Sequence, residues 1–339
     1  MKRAAILLAS VFALPACSPS PPAVDAAPDV TPDAADVIED TGPVAQPVTV
    51  MTTRGGVTGR DFGTHAAFLG IPYAASTAGA NRWRPPAARD AWTAPLDVVT
   101  QPDACPQNPD GPGGPLLTSE DCLKVNVWTP SIAPATPRPV MVFVHGGGFT
   151  TGEIRNPLYE GANLSRHGVV VVSMSYRLGQ LGWLAHPALV AEDTQHHAAG
   201  NYGFMDQQAA LRWVQANIAR FGGDPANVTL FGESAGAISV CGHLVSPQSD
   251  GLLQRAIAES GSCAFIYLPL HDVPGGPYES AEALGARFAT AVGCDTATDP
   301  LACMRARPVA DVLAAARAPL NLRSTAARYF PVVDGHVFP

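Results

Sequence analysis

Four short stretches set the strand pattern of this 339-residue chain, the apolar runs at residues 140–144, 169–174 and 228–231 and the segment 255–259, apolar between a terminal Arg and Glu. The second reads Val169-Val170-Val171-Val172-Ser173-Met174. Runs of this length, without strict alternation, predict strands buried on both faces, as in a parallel sheet. Residues 205–219 change period. Leu211, Val214 and Ile218 fall on one face at helical spacing, which predicts an amphipathic helix. Further helices are expected over residues 278–292 and 309–316, and smaller antiparallel strands at one edge over residues 48–75 and 123–128. No internal repeat is visible. Residues 48–339 therefore read as one α/β domain.

The preceding residues follow no such pattern. Residues 1–17 have a short basic start, an apolar core and the ending Leu14-Pro15-Ala16-Cys17. This is the pattern of a secretory signal, with an apolar stretch too short to span a bilayer as a helix. The ending looks like a bacterial lipobox, which predicts lipidation of Cys17 and attachment to a membrane. Residues 18–47 are mostly Pro, Ala, Asp and Val. They carry Asp25, Asp29, Asp33, Asp36, Glu39 and Asp40 and no Lys or Arg. A segment so poor in large apolar residues reads as an extended, self-repelling tether. It also accounts for most of the formal net charge of −8. The rest of the chain has no basic patch suited to nucleic acid.

The candidate chemistry lies where two of the apolar runs end. Val228-Thr229-Leu230-Phe231 enters Gly232-Glu233-Ser234-Ala235-Gly236, and a small-residue helical pattern leaves it. A G-x-S-x-G between strand and helix is a nucleophile elbow. The chain reverses at Ser234, and Gly232 and Gly236 let strand and helix approach closely. Upstream, residues 139–144 run into His145-Gly146-Gly147-Gly148-Phe149. In an α/β-hydrolase such a loop supplies oxyanion-hole N–H groups, here from Gly147 and Gly148, joined by that of Ala235. Glu233 lies beside the nucleophile. His145 shapes the loop in this reading, because the base of this fold follows the serine in the chain.

From these motifs outward, the sequence resembles the type-B carboxylesterase/lipase family, which includes the cholinesterases. The likeness runs through Phe68-Leu69-Gly70-Ile71-Pro72-Tyr73-Ala74, Arg82-Trp83-Arg84-Pro85-Pro86 and Glu120-Asp121-Cys122-Leu123-Lys124-Val125-Asn126-Val127-Trp128. It continues through Ser175-Tyr176-Arg177-Leu178-Gly179, Asp206-Gln207-Gln208, Phe221-Gly222-Gly223-Asp224-Pro225 and Pro331-Val332-Val333-Asp334-Gly335. The hormone-sensitive-lipase relatives share the glycine loop and the elbow but lack the Glu120-Asp121-Cys122 block. The resemblance implies an α/β-hydrolase fold, with a mostly parallel central sheet and helices on both faces. It implies a serine ester hydrolase with no cofactor and a small-molecule ester as substrate.

In this family the triad acid and histidine follow the Pro-Val-Val-Asp-Gly block, and only His336-Val337-Phe338-Pro339 follow it here. The chain thus reads as an esterase with its C-terminal part, and with it the acid and base, missing. His243, His271 and His336 follow the serine, but none occupies the family's catalytic position. A non-catalytic, surface-anchored binding protein on an esterase scaffold is the alternative. Setting Cys17 aside leaves six cysteines, an even number that suits an exported chain. The resemblance assigns one disulfide to Cys105 and Cys122 and another to Cys294 and Cys303. Cys241 and Cys263 form either a third bond or two buried thiols. The cysteine spacing fits no common zinc pattern, and His196-His197 reads as part of a polar loop. No aromatic residue lies between Cys105 and Cys122, so the cation–π recognition of choline known from cholinesterases is not expected in that loop.

Overall fold

A computed structural model describes residues 45–107, 117–265, 267–276, 279–315 and 329–339. The leader, Cys17, residues 18–44 of the acidic segment, Tyr278 and Ala316 lie outside the described residues. The strands are β1 (Gln46–Met51), β2 (Gly56–Asp61), β3 (Ala66–Pro72), β4 (Leu96–Asp97), β5 (Lys124–Thr129), β6 (Arg138–Val144), β7 (Val170–Met174), β8 (Gly223–Glu233), β9 (Arg255–Glu259), β10 (Leu268–Pro269) and β11 (Val332–Val333). The helices are α1 (Ala162–Ser165), α2 (Gly179–Trp183), α3 (Pro187–Glu192), α4 (Tyr202–Asn217), α5 (Ala235–Val245), α6 (Ala281–Ala291), α7 (Pro300–Ala306) and α8 (Val309–Ala315).

The main sheet runs in the order β1-β2-β3-β5-β7-β6-β8-β9, with β4 on β2. Strands β7, β6, β8 and β9 are mutually parallel. Strands β1, β2, β3, β5 and β7 pair antiparallel in turn. Strands β6, β7 and β8 carry the unbroken apolar runs, and the antiparallel strands lie over residues 48–75 and 123–128, as the patterning predicts. Val140, Val142, Val144, Val170, Val172, Val228 and Leu230 are wholly buried and form the centre of one core. Leu211 and Val214 of α4 pack onto that core with Ile218, which opens a short 3-10 helix (Ile218–Phe221) that ends where Gly222 takes a left-handed φ of 80°. Ser280 caps α6 by accepting a hydrogen bond from the N–H of Ala283.

Strand β9 departs from its reading as a buried strand. All five of its residues are exposed, Ile257 at 42%. It pairs with β8 on one side and is the last strand of the sheet. Its apolar residues read as buried, but burial needs cover on both faces, and a strand's own residues do not say whether that cover exists.

The open choice between a third disulfide and two thiols resolves as a bond. Cys241–Cys263 ties α5 to the segment after β9, beside Cys105–Cys122 and Cys294–Cys303. Strand β6 lies between β7 and β8, so the chain leaves it to one side and returns on the other. The crevice at the carboxyl ends of strands flanking such a reversal is where open α/β sheets bind ligands. The glycine loop follows β6 and Ser234 follows β8, so both sequence motifs stand at that crevice.

Candidate active site

Ser234 sits between β8 and α5 with φ 55° and ψ −117°. A non-glycine residue in that region stores on the order of 1–3 kcal/mol, which surrounding structure must hold in place. The Ser234 N–H donates to the Glu259 carbonyl at 2.9 Å, and the Ser234 carbonyl accepts from Ile238 at 3.0 Å. The turn closes because position 236 is glycine. A Cβ there would lie 2.1 Å from the Val144 carbonyl oxygen, so a side chain would push α5 off the end of β6. The same contact brings the glycine loop to the serine. An ideal Cβ on Gly146 would stand 3.2 Å from Ser234 Cβ and 2.7 Å from Glu233 Oε2. Glu233 is itself exposed, and Ser234 is half-buried.

The loop turns through three left-handed residues, Gly147 (φ 103°), Gly148 (φ 61°) and Phe149 (φ 61°). The N–H groups of Thr150 and Thr151 fold back onto the Gly147 carbonyl at 3.1 and 3.0 Å. A Cβ on Gly147 would meet the Thr151 carbonyl at 2.1 Å, so the turn requires glycine there. Phe149 is buried and meets the Trp183 ring edge-on at 5.0 Å. The backbone N–H groups of Gly147, Gly148 and Ala235 donate to no acceptor among the described residues. Ala235 also begins α5, whose N-terminal dipole favours negative charge. The Ser234 hydroxyl has no hydrogen-bond partner among the described residues either.

None of the candidate histidines meets Ser234. His145 is buried, stacked on Tyr176 at 4.4 Å, with Nδ1 2.8 Å from the Gly146 carbonyl. That acceptor assigns the proton to Nδ1. Burial pushes the His145 pKa down to about 4, so the ring is a neutral strut of the loop. The Tyr176 hydroxyl donates to the His145 carbonyl at 2.8 Å, and burial raises its pKa. His243 points into the core. Its Nε2 lies 3.1 Å from Gln207 Oε1 and its Nδ1 2.8 Å from Ser249 Oγ, and the ring stacks on Phe204. Since Gln207 donates its amide to Ser239, its oxygen faces His243 and places the imidazole proton on Nε2. His271 is exposed and pairs with Glu282 at 2.6 Å. His336 stacks on His196 at 3.6 Å and meets the Gln248 amide at 2.7 Å.

Sequence reading missed the side chains that brace this loop from below. Tyr176 and Gly179 follow β7 and each contacts the loop: the Tyr176 hydroxyl donates to the His145 carbonyl, and the Gly179 N–H donates to the Phe149 carbonyl at 2.7 Å. The family-like block Ser175-Tyr176-Arg177-Leu178-Gly179 flagged the segment but not these partners. Gln107, two residues after Cys105, carried no signal at all.

The buried histidines make stability depend on pH. An unfolded histidine binds a proton near pH 6.5, whereas folded His145 and His243 resist it down to about 4 and about 3, chiefly through burial. Between those values the unfolded chain holds more protons than the folded one. Stability is thus complete above pH 6.5 and falls as pH drops toward 4, by on the order of 3 kcal/mol per residue. Urea midpoints measured from pH 7.5 to 4.5 should fall steadily, and His243→Gln should flatten the slope. A midpoint independent of pH across that window would refute the assignment.

A cavity of about 860 Å³ runs along α4 beside residues 83–88 and is lined by Arg212, Trp213 and His336 but not by Ser234. Among the described residues no group of three His, Cys, Asp or Glu side chains is placed to hold a metal ion. No described helix is long and apolar enough to cross a membrane.

The model of the carboxylesterase family matches residues 46–339. Over 312 residues the chain is 41% identical to an acetylcholinesterase of Gallus gallus, covering 84% of this chain and 38% of that protein. It is 44% identical over 220 residues to a fumonisin B1 esterase of Sphingopyxis macrogoltabida, covering 64% of this chain and 41% of that one. It is 40% identical over 287 residues to a cholinesterase of Mus musculus, covering 80% and 45% respectively. The chain thus spans less than half the length of the curated relatives it matches.

Proposed function

The chain belongs to the carboxylesterase family, and on that premise we propose that it is a serine carboxylic ester hydrolase by construction, with Ser234 as its nucleophile. The observation that carries this reading is that the N–H groups of Gly147, Gly148 and Ala235 donate to no acceptor among the described residues, while Gly146 of the same loop lies against Ser234. The Ser234 oxygen attacks the ester carbonyl. The carbonyl oxygen becomes an oxyanion facing those donors, an effect on the order of 3 kcal/mol per donor. The bond to the alcohol breaks, the serine's proton leaves with the alcohol, and water then releases the acid from the acyl-enzyme. The first step needs a base for the serine proton, and no described histidine or carboxylate bonds to the Ser234 hydroxyl.

The lack of such a bond among the described residues is what favours the second reading, a binding protein on an esterase scaffold. A fluorophosphonate probe separates the two, because its reactive phosphorus tests the serine and the donors without requiring turnover. Folded chain should take the adduct on Ser234 roughly 10³ times faster than chain unfolded in urea, the contribution of one or two oriented donors. Equal rates in the two states would sink the esterase reading. Small acyl or aryl esters suit the site, since the segment between Cys105 and Cys122 offers no aromatic face to a quaternary ammonium group.

Three disulfides in one domain suit an oxidising compartment, and export with lipidation at Cys17 follows from the leader. Labelled palmitate should enter the protein in a bacterial host and be lost on Cys17→Ala. Equal labelling of both would reject the anchor.

A further inference from the structure

Gln107 lies outside the glycine loop, the elbow and every motif that resembles the family, yet its side chain is buried, 6% exposed, against the end of that loop. Its Nε2 donates to the Gly152 carbonyl at 2.8 Å and to the Cys105 carbonyl at 3.1 Å. Its Oε1 accepts from the Gly152 N–H at 2.9 Å. Two carbonyls on one end of the amide and an N–H on the other fix which end is nitrogen. Both backbone groups of Gly152 are thus taken by one side chain, and no other described residue bonds to them.

Gly152 closes the loop that begins at His145. Its Cα stands against the His145 ring and the Gly146 carbonyl, so closely that a Cβ would lie 2.2 Å from His145 Nδ1 and 2.6 Å from that oxygen. The preceding residue, Thr151, donates to the Gly147 carbonyl and presses its own carbonyl against Gly147. Moving Gly152 therefore moves His145, Gly146 and Gly147 together. On its other side Gln107 is rooted in rigid structure. Cys105 is bonded to buried Cys122, two residues before β5, and Ala104 bridges Thr118.

We infer that Gln107 is the positioning residue of the oxyanion loop, holding the Gly147 and Gly148 N–H groups toward Ser234 by clamping Gly152 to the Cys105–Cys122 disulfide. The inference rests on the reading of those N–H groups as oxyanion donors. The side chain must be glutamine because the clamp needs a donor and an acceptor in one plane. Glutamate keeps the acceptor and loses both donated bonds; leucine loses all three. A displacement of the donors of about 1 Å is enough to cost on the order of 10²-fold in rate.

The test compares wild type, Gln107→Glu and Gln107→Leu in the full chain, by fluorophosphonate labelling of Ser234 and by amide hydrogen exchange. The expected result is a tenfold to hundredfold slower labelling in Gln107→Leu and a smaller loss in Gln107→Glu. Exchange should quicken at Thr150, Thr151 and Gly152 and stay unchanged in β6 and α5. Unchanged exchange at those three amides would overturn the inference, as would exchange raised uniformly through the domain in both variants. If Gln107→Leu does not fold, Gln107→Glu alone decides by the same two readouts. If wild type takes no adduct at Ser234, the esterase reading fails, and the exchange pattern by itself decides whether Gln107 holds the loop.

Discussion

Residues 1–339 are expected to hydrolyse p-nitrophenyl acetate no more than roughly 10³–10⁴ times faster than water does, the residue of catalysis left when a serine enzyme has no working base. Ser234→Ala is expected to leave that rate within about tenfold, because nucleophile and base act as a unit and removing one of them already forfeits most of what the unit supplies. The reason is geometric. The Ser234 hydroxyl meets no described histidine. His145 is occupied by Gly146 and Tyr176, His243 by Gln207 and Ser249, His271 by Glu282, and His336 by His196 and Gln248. On the proposed reading, what rate there is comes from the N–H groups of Gly147, Gly148 and Ala235, which would stabilise an oxyanion whether serine or water attacks. Steady-state rates of the two chains side by side test this. Fast hydrolysis that disappears with Ser234→Ala would show a base acting on the serine, and His243, His271 and His336 would then be replaced one at a time to find it.

Asp206→Ala is expected to destabilise the domain by about 3–5 kcal/mol, the cost of leaving one member of a buried ion pair unmatched. Arg177 and Asp206 are 2% and 0% exposed. Arg177 donates from Nε to Asp206 Oδ2 and from Nη2 to Oδ1, both at 2.7 Å, and its backbone N–H donates to Oδ2 at 3.0 Å. Nη1 reaches the Arg84 carbonyl at 2.9 Å, and the guanidinium lies over the Tyr202 ring, 5.5 Å from its centroid. Removing the carboxylate strands that cation in the core. For a domain of this size each kcal/mol moves the melting temperature about 2–4 °C, so thermal unfolding should shift down by about 10 °C. Combining Arg177→Met with Asp206→Leu should recover much of the loss, because apolar packing can replace a buried pair once neither charge remains. A shift of 2 °C or less for Asp206→Ala would refute the prediction. The pair also bears on the site: Arg177 joins α4 to the segment whose Tyr176 and Gly179 brace the glycine loop.

Much of this architecture is legible along the chain. Unbroken apolar runs mark β6, β7 and β8, because a strand covered on both faces has no polar side to alternate with. The period of α4 appears in Leu211 and Val214 and carries on to Ile218 just past its end, and the turn at Ser234 appears in the glycines that flank it. Each of these is a local property, written in residues a few positions apart. The cysteine pairs at Cys105–Cys122 and Cys294–Cys303 are legible only through resemblance, since spacing by itself leaves the pairing open.

What only the tertiary structure decided is the set of contacts between residues far apart in the chain. Gln107 meets Gly152 across 45 positions and Cys105 across two, and nothing in the sequence distinguishes it from a surface glutamine. His243 looks like any histidine near the end of a helix, and only the closing of α5 onto α4 gives it Gln207 as a partner at 3.1 Å. The exposure of Ile257 depends on which elements lie over β9, and the bond between Cys241 and Cys263 on how α5 returns past that strand. Period and turn chemistry are set by a residue's neighbours in sequence, so they can be read in one dimension. Partners and burial are set by neighbours in space, which exist only once the chain has folded.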